Sequence, residues 1–316
     1  MKFLMAQPAL VPRYEFEVAT AVDNLISLGV SPQDIILLFT DKGTDLPQRL
    51  KDKFGVQVFV YKDTRPSLAL QYIPSIRPYL WYRFLQGQPA MQDEDFMYQD
   101  ADVVYRQIPN FNTMNQLSTT HWYGSDTESY TGPDYINSKG PDMLKNIADF
   151  LGVTKEQMWG FKNNSVGAQW VISKPKVAYW KDVYEMSYKL YHELVETEPK
   201  YKKWFRDNGK DDTYTLQIWC SEMYAEAYLC AKYGITTEKS GELAFSWCTD
   251  KINTYFSNNI LHNSGVTQEL RDKDHLFFKG EYVNKSPFDE DLSWVNHDYC
   301  SWIYAQLVMA TAKKFR

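Results

Sequence analysis

Cysteine is scarce in this chain of 316 residues, and its cysteines lie far apart. Cys220, Cys230, Cys248 and Cys300 form no Cys-x-x-Cys pair. A disulfide framework or a structural zinc site needs cysteines at characteristic close spacings. The sequence therefore predicts reduced, packed thiols and favours a cytoplasmic protein.

Long apolar runs are missing as well. No stretch approaches the roughly 18 apolar residues that a membrane-spanning helix needs. The first ten residues carry a single charge, Lys2, and do not show the pattern of a cleavable signal peptide. We therefore expect a soluble chain without a signal peptide, a transmembrane segment or a membrane partner.

Positive charge is not in excess, because 34 lysines and arginines face 40 aspartates and glutamates, which gives a net charge of −6. The chain has no overall basic field that would hold a polyanion non-specifically, although a local basic groove stays possible. The sequence also shows no P-loop, G-x-G-x-x-G, H-E-x-x-H or Ser-His-Asp spacing. It therefore gives no indication of kinase, dehydrogenase, zincin or serine-hydrolase chemistry.

What the sequence does have is an alternation of strand-like and helical patterns. The strand-like runs are 2–6, 34–40, 56–61 and 96–99, and the helical patterns between them are 14–28, 46–54 and 74–85. This alternation predicts an α/β fold with a mostly parallel, Rossmann-like sheet flanked by helices.

The second half of the chain changes character. After a strand-like run at 168–173, helical patterns at 176–196 and 213–233 predict a helix-rich C-terminal half. The turn-rich stretch 125–139 is predicted as a loop between the halves 1–125 and 126–316. Because no linker composition marks a boundary, we expect one continuous domain.

Two carboxylates follow the fourth predicted strand directly. Asp100 and Asp102 are spaced i and i+2, and in open α/β sheets ligands bind beyond the carboxyl ends of the strands. Such a pair can hold a hard divalent cation, directly or through water. The alternative is a solvated Asp-x-Asp turn without a metal.

Four short segments carry a resemblance to a known group of proteins, and they are 72–78, 99–102, 165–170 and 219–225. With the strand, helix and Asp-x-Asp order, they resemble the metal-dependent GT-A glycosyltransferases. Within these, they are similar to the hydroxyproline O-arabinosyltransferase and peptidyl-serine galactosyltransferase group. The resemblance implies a hexosyl- or pentosyltransferase that uses a nucleotide diphosphate-sugar, expected to be UDP-linked, with Mn²⁺ or Mg²⁺.

Members of that group are typically membrane-anchored, which this sequence does not predict. The hydroxyl acceptor therefore stays open between a protein, a glycan and a hydroxymethylated DNA base. In the resemblance, residues 1–125 form the nucleotide-sugar-binding half and residues 126–316 the acceptor-binding half.

The resemblance also implies a set of donor contacts. It places the nucleotide base and ribose at the loop after the first strand, a donor contact on the helix before the acidic pair, and phosphate contacts in the C-terminal loop. The corresponding residues are Gln7, Pro8, Ala9 and Tyr14, then Arg77 and Arg83, then Lys279 and Lys285. The alternatives are an ordinary strand-to-helix loop and a solvated basic helix face.

A third metal ligand and two catalytic residues complete the expected site. The resemblance to GT-A enzymes implies a third metal ligand from a late histidine, and His262, in a predicted strand-to-turn context, is the expected one, ahead of His275 and His297. By resemblance Gln169 faces the sugar, and its amide can orient a hydroxyl or stabilise charge at the anomeric carbon. Glu222 is the expected acceptor base or acceptor contact, unless it merely pairs with a cation.

The reaction can retain or invert configuration, since Gln169 favours retention and Glu222 as a base favours inversion. Two other functions remain open. One is a sugar- or nucleotide-binding protein that has lost catalysis, and the other is a metal-dependent phosphohydrolase with the same acidic loop.

Overall fold

The structure, a computed structural model, describes residues 1–315. Its strands are β1 (Lys2–Pro8), β2 (Ile35–Thr40), β3 (Gln57–Tyr61), β4 (Asp95–Tyr98), β5 (Val103–Tyr105), β6 (His121–Asp126), β7 (Val166–Ser173), β8 (Thr236–Lys239), β9 (Phe245–Trp247) and β10 (Ile260–His262). Its helices are α1 (Arg13–Ser27), α2 (Leu46–Phe54), α3 (Ser67–Leu70), α4 (Ile76–Gly87), α5 (Glu128–Thr131), α6 (Pro133–Asn137), α7 (Met143–Leu151), α8 (Lys155–Trp159), α9 (Val177–Asp207), α10 (Ser221–Lys232), α11 (Ile252–Ser257), α12 (Gln268–Asp274) and α13 (Cys300–Phe315).

The chain divides into two compact units, each assembled from separate stretches. The first unit holds residues 1–62, 98–115 and 241–316, and the second holds 63–97 and 116–240. These units do not coincide with the halves 1–125 and 126–316. The predicted roles of those halves stay predictions.

The first unit contains three parallel strands in the order β3-β2-β1. All six residues of β2 are buried, which is typical of a parallel strand covered on both faces. The same unit contains a small sheet in the order β5-β10-β9, in which β10 is antiparallel to β5 and parallel to β9. This small sheet carries the candidate site described below.

The second unit contains β7, β6, β8 and most of β4. Strand β7 is antiparallel to β6, and β6 is parallel to β8. Helix α9 packs against α4 and α10. At its contact with α4, the rings of Trp81 and Trp180 stack with their centroids 4.7 Å apart and an interplanar angle of 4°.

The predicted α/β class is confirmed, with seven strands in the main sheet and helices around them. Two local predictions were wrong. The helix predicted over 213–233 begins only at Ser221, because 213–220 are taken up by short 3₁₀ turns, the first capped by the side chain of Asp211. The loop predicted over 125–139 contains α5 and α6, the latter begun by Pro133, whose fixed φ favours a first helical position.

The helix predicted to end at residue 196 continues through Pro199 to Asp207. Among the helices described within residues 1–315, none combines the length and the apolar composition that crossing a membrane requires.

The stacked pair gives a test of the second unit's core. Trp180 is fully buried, so Trp180→Ala should lower the free energy of unfolding by about 3–5 kcal/mol, measured by chemical denaturation. Trp180→Phe should cost less, because it keeps an aromatic face against Trp81. Trp219→Ala is the matched control, since Trp219 is exposed. Equal costs for the two alanine variants would contradict this packing.

Candidate metal centre

The turn between β4 and β5 presents two carboxylates beside β1. The backbone N–H of Gln99 donates to the carbonyl of Leu4 in β1 at 3.1 Å, so the turn begins directly after β4 and beside β1. Asp100 and Asp102 follow, and the N–H of Val103 donates back to the carbonyl of Asp100 at 3.4 Å. The two aspartates therefore lie on a short turn that hydrogen bonds hold at both ends.

Strand pairing brings the third residue of the centre to this turn. In the ladder between β5 and β10, His262 lies opposite Val103, and the N–H of Asn263 donates to the carbonyl of Asp102 at 2.9 Å. The Nε2 atom of His262 lies 3.7 Å from Oδ2 of Asp100 and 3.5 Å from Oδ1 of Asp102. A ligand atom from each of the three residues lies within 4.8 Å of the other two.

These three side chains fit a hard divalent cation. Ligand atoms at about 2.1 Å from an octahedral ion are about 3 to 4 Å apart, close to the separations observed. Carboxylate oxygens with one imidazole nitrogen suit Mg²⁺ and Mn²⁺ better than a soft, thiolate-binding metal. Asp102 and His262 are only 4% and 6% exposed, so a bound cation would be largely withdrawn from water.

Positive charge already compensates the buried carboxylate of Asp102. The ammonium of Lys279, which is half-buried, forms an ion pair with Oδ2 of Asp102. Burial by itself would raise the pKa of Asp102, but Lys279 and His262 together hold it well below its usual range. Asp102 is therefore an anion whose negative charge already attracts cations.

A second buried acid lies on α1. Burial raises the pKa of Glu17 to about 7, against the opposing effect of Lys279 and Arg13. The side chain of Glu17 accepts a hydrogen bond from Nε of Arg13 at 3.2 Å and is 2% exposed. Asp102, Lys279, Glu17 and Arg13 thus form one electrostatically linked group of alternating charge.

An aromatic ring limits how the imidazole ligand can rotate. Trp247 of β9 lies beside His262 in the parallel ladder, and the two rings stack with centroids 5.5 Å apart at 21°. The ring of Phe245 also lies beside this imidazole, with the two ring centroids 5.9 Å apart. The orientation of His262 is therefore set by packing as well as by its carboxylate neighbours.

The predicted donor contacts after β1 include an unusual buried amide. Gln7 is 2% exposed, and neither atom of its amide has a hydrogen-bonding partner within residues 1–315. The hydroxyl of Thr40, at the end of the neighbouring β2, has none in this range either. Buried polar atoms are normally paired, because leaving one unpaired costs about 1–3 kcal/mol. The register sets Gln7 beside Phe39 and Thr40 beside Pro8, so the two side chains project from opposite faces of the sheet. The buried amide of Gln7 alone therefore indicates a place where a polar ligand can bind.

The other predicted contacts of this first unit have ordinary surroundings. Pro8 ends β1, and the N–H of Ala9 donates to the carbonyl of Thr40 at 3.1 Å. The guanidinium of Arg13 lies 5.5 Å from the ring of Tyr14. Lys285 forms an ion pair with Glu290 at 2.6 Å. Within the described residues, neither His275 nor His297 joins a cluster of possible metal ligands.

In the second unit, two predicted site residues bind each other. Arg77 of α4 donates from Nε to Oε1 of Glu222 at 3.0 Å and from Nη2 to Oε2 at 2.6 Å. Glu222 stands in the first turn of α10 and is buried. Arg83 instead donates to the hydroxyl of Tyr79 at 2.8 Å. The roles predicted for these three residues stay predictions.

Gln169 lies at an irregularity of β7. The ladder with β6 jumps from Gly124 opposite Trp170 to Ser125 opposite Gly167, which leaves Ala168 and Gln169 as an insertion. Ala168 has a φ of +59°, a conformation that costs a non-glycine residue energy and concentrates at functional sites. The hydroxyl of Ser125 donates to Oε1 of Gln169 at 2.5 Å, and Gln169 is fully buried.

Sequence reasoning missed Glu17 and Trp247 as neighbours of the site. The i, i+4 spacing of Arg13 and Glu17 on one predicted helix was a readable signal for an ion pair. Nothing local marks Trp247, since its role depends on the pairing of β9 with β10.

No protein-family model matches the chain, and no curated protein sequence matches it. Solved structures do show similarity. A structure of the bifunctional glycosyltransferase WbbM is similar at a TM-score of 0.46 and 9% identity, over 98% of this chain, which spans about half (49%) of the WbbM chain. The galactosyltransferase LgtC, solved in complex with donor and acceptor sugar analogues, is similar at a TM-score of 0.47 and 10% identity, over 98% of this chain and 96% of its own. Similarity at this level assigns no activity, so function has to be inferred from this chain's own side chains.

The ion pair of Lys279 with Asp102 predicts a competition with metal. Because the ammonium and a divalent cation are attracted to the same carboxylate and repel each other, Lys279→Met should tighten binding of Mn²⁺ alone. We expect the Kd from calorimetry to fall roughly threefold to tenfold, which corresponds to a gain of about 1 kcal/mol in binding free energy. Lys285→Met, which removes a lysine paired with Glu290, should leave that Kd unchanged. Weaker binding by Lys279→Met would show that the lysine supports the metal and does not compete with it.

Proposed function

We propose that the chain is a metal-dependent GT-A glycosyltransferase that moves a sugar from a nucleotide diphosphate-sugar to a hydroxyl acceptor. The observation that carries this proposal is the cluster of Asp100, Asp102 and His262, of which Asp102 and His262 are buried, beside the parallel strands of the first unit. Asp100, Asp102 and His262 would hold a divalent cation, which would supply positive charge for a diphosphate and for the leaving group as the glycosidic bond breaks.

The residues around the cluster support a diphosphate ligand. Lys279 is the cation nearest to Asp102, and with a metal held by this carboxylate its ammonium would be available for a phosphate oxygen. Glu17 and Arg13 keep the surrounding charge in balance when Lys279 changes partner. The unpaired amide of Gln7 can hydrogen-bond to the base or ribose of the donor.

Two residues of the second unit are proposed for the reacting centre. The amide of Gln169 is held by Ser125, so its orientation is fixed before a sugar binds. Both carboxylate oxygens of Glu222 accept hydrogen bonds from Arg77. This pairing stabilises the carboxylate anion and so weakens Glu222 as a proton acceptor, which is why we favour Glu222 as an acceptor contact over a base. That choice favours retention of configuration.

The finer identity of the substrates belongs to the same proposal. We propose a UDP-linked donor, Mn²⁺ or Mg²⁺ as the cation, and a hydroxyl acceptor on a protein, a glycan or a hydroxymethylated DNA base. A phosphohydrolase with this acidic cluster would also cleave the donor. Transfer of the sugar to an added acceptor, detected by mass spectrometry, separates a transferase from a hydrolase.

The metal centre predicts how a nucleotide binds. Calorimetry with UDP, GDP, ADP and CDP is done with and without Mn²⁺. The wild type should bind at least one of these nucleotides, and only when Mn²⁺ is present. Asp102→Asn should weaken this binding about 10- to 100-fold, as loss of a metal ligand or its close partner typically does. Asp291→Asn, at an exposed aspartate of the same unit, should have no effect. If no nucleotide binds in either condition, the glycosyltransferase proposal fails.

The unpaired amide of Gln7 predicts opposite effects on stability and binding. Gln7→Leu removes a buried polar group without a partner, so the ligand-free protein should be about as stable as the wild type or up to about 1 kcal/mol more stable. Its affinity for the nucleotide should nevertheless fall roughly tenfold, because the ligand loses hydrogen bonds. Thermal unfolding and calorimetry measure the two quantities. A destabilised variant with unchanged affinity would mean that Gln7 is purely structural.

A further inference from the structure

The second unit contains an open pocket of about 680 Å³. It is lined by His121, by residues of the segment 157–164 and by residues of the segment 231–238, all within that unit. None of these residues belongs to the metal centre or to the proposed reacting centre. Its volume is that of a typical small-molecule site, which is about 300–1,000 Å³.

Two side-chain amides line this pocket with hydrogen-bonding capacity to spare. The Oε1 atom of Gln157 accepts from the N–H of Thr154 at 2.8 Å, which fixes the amide and leaves its Nε2 without a partner among the described residues. The backbone carbonyl of Asn164 accepts a hydrogen bond from the hydroxyl of Thr237 at 2.7 Å. Its side-chain amide has no partner in the described part of the chain.

A row of polar side chains, His121, Thr236 and Glu238, also lines the pocket. In the ladder between β6 and β8, His121 lies beside Thr236, and its Nδ1 is 2.8 Å from the hydroxyl of that threonine. Its Nε2 is 3.2 Å from Oε2 of Glu238. The hydroxyl, imidazole and carboxylate are therefore held in one hydrogen-bonded chain along the edge strand.

Apolar surface completes the lining. Phe161 and Ile235 are buried, and Ala231 is half-buried. Gly234 has a φ of +65°, and a Cβ added there would meet no atom within 4 Å, so the backbone near it leaves open space. The pocket thus combines an apolar wall with several fixed polar groups, the usual composition of a small-molecule site.

The charges of the lining exclude some ligand classes. No lysine or arginine is among its residues, so a phosphate or nucleotide would find no cation to bind. Its one carboxylate, on Glu238, already faces the imidazole of His121. A wholly apolar ligand would bury the amides of Gln157 and Asn164 without partners, at a cost of about 1–3 kcal/mol for each unsatisfied group.

We propose that this pocket binds a neutral saccharide unit. Neighbouring sugar hydroxyls both donate and accept, which matches amides, a hydroxyl and a carboxylate, and the C–H face of the ring matches Phe161 and Ile235. The saccharide can be free or can be the end of a glycan carried by a larger molecule. This assignment does not depend on the metal centre or on the proposed transfer reaction.

The test is saturation-transfer NMR on the metal-free full chain with maltose, cellobiose, lactose and diacetylchitobiose. At least one of them should bind with a Kd of about 1 mM or below. Asn164→Leu and Glu238→Gln should each weaken this binding about tenfold. Glu156→Gln changes an exposed glutamate of α8 that does not line the pocket, and it should leave binding unchanged. Unchanged circular dichroism would show that each variant folds.

Several results would overturn the assignment. One is the absence of a signal from all four saccharides. Another is binding that both pocket variants leave unchanged, and a third is displacement of the saccharide by UDP without metal. Backbone shifts at Thr237 on adding an unglycosylated peptide, without any saccharide binding, would assign the edge of β8 to a peptide instead. A glycopeptide ending in the same sugar should compete with the free sugar if the pocket binds the terminal unit, whereas competition by the free sugar alone would assign the site to free saccharides.

Discussion

The buried negative charge of Asp102 is the constraint on which the rest of the candidate site depends. A carboxylate that is almost fully withdrawn from water is stable as an anion only when positive charge lies close by. Lys279 and His262 supply that charge. Glu17 and Arg13 on α1 continue the series of alternating negative and positive side chains. A divalent cation would satisfy the same carboxylate more strongly than an ammonium does. The pairing of Lys279 with Asp102 is therefore the arrangement that metal has to displace.

Backbone pairing within the first unit brings His262 next to Asp102, although the two residues are far apart in the sequence. The pairing of β5 with β10 sets His262 opposite Val103, and the bond from Asn263 to the carbonyl of Asp102 fixes the turn. Trp247 then restricts the imidazole from β9. Each of these strands has three residues, so the centre depends on tertiary packing around them more than on the strands' own stability.

Local patterns carried most of what the sequence could reveal. The parallel strands of the first unit are largely apolar runs, and Asp100 and Asp102 follow the apolar residues of β4, so both were readable. Helix α10 was overextended because residues 213–220 contain no glycine or proline to mark a break, although a side-chain cap takes the first of them into a short turn. The strands β5, β9 and β10 are too short for a period to emerge. The contacts of Trp247 and Glu17 depend on long-range pairing, which a single sequence does not encode in any local form.

The most direct test of the metal centre is a crystal of the full chain grown with Mn²⁺ and the nucleotide it binds, measured at a wavelength where manganese scatters anomalously. The account predicts one strong anomalous peak about 2.1 Å from Nε2 of His262, with Asp100 and Asp102 around it and Lys279 turned away from Asp102. A bound nucleotide with no peak between these three residues, or with manganese elsewhere, would contradict it.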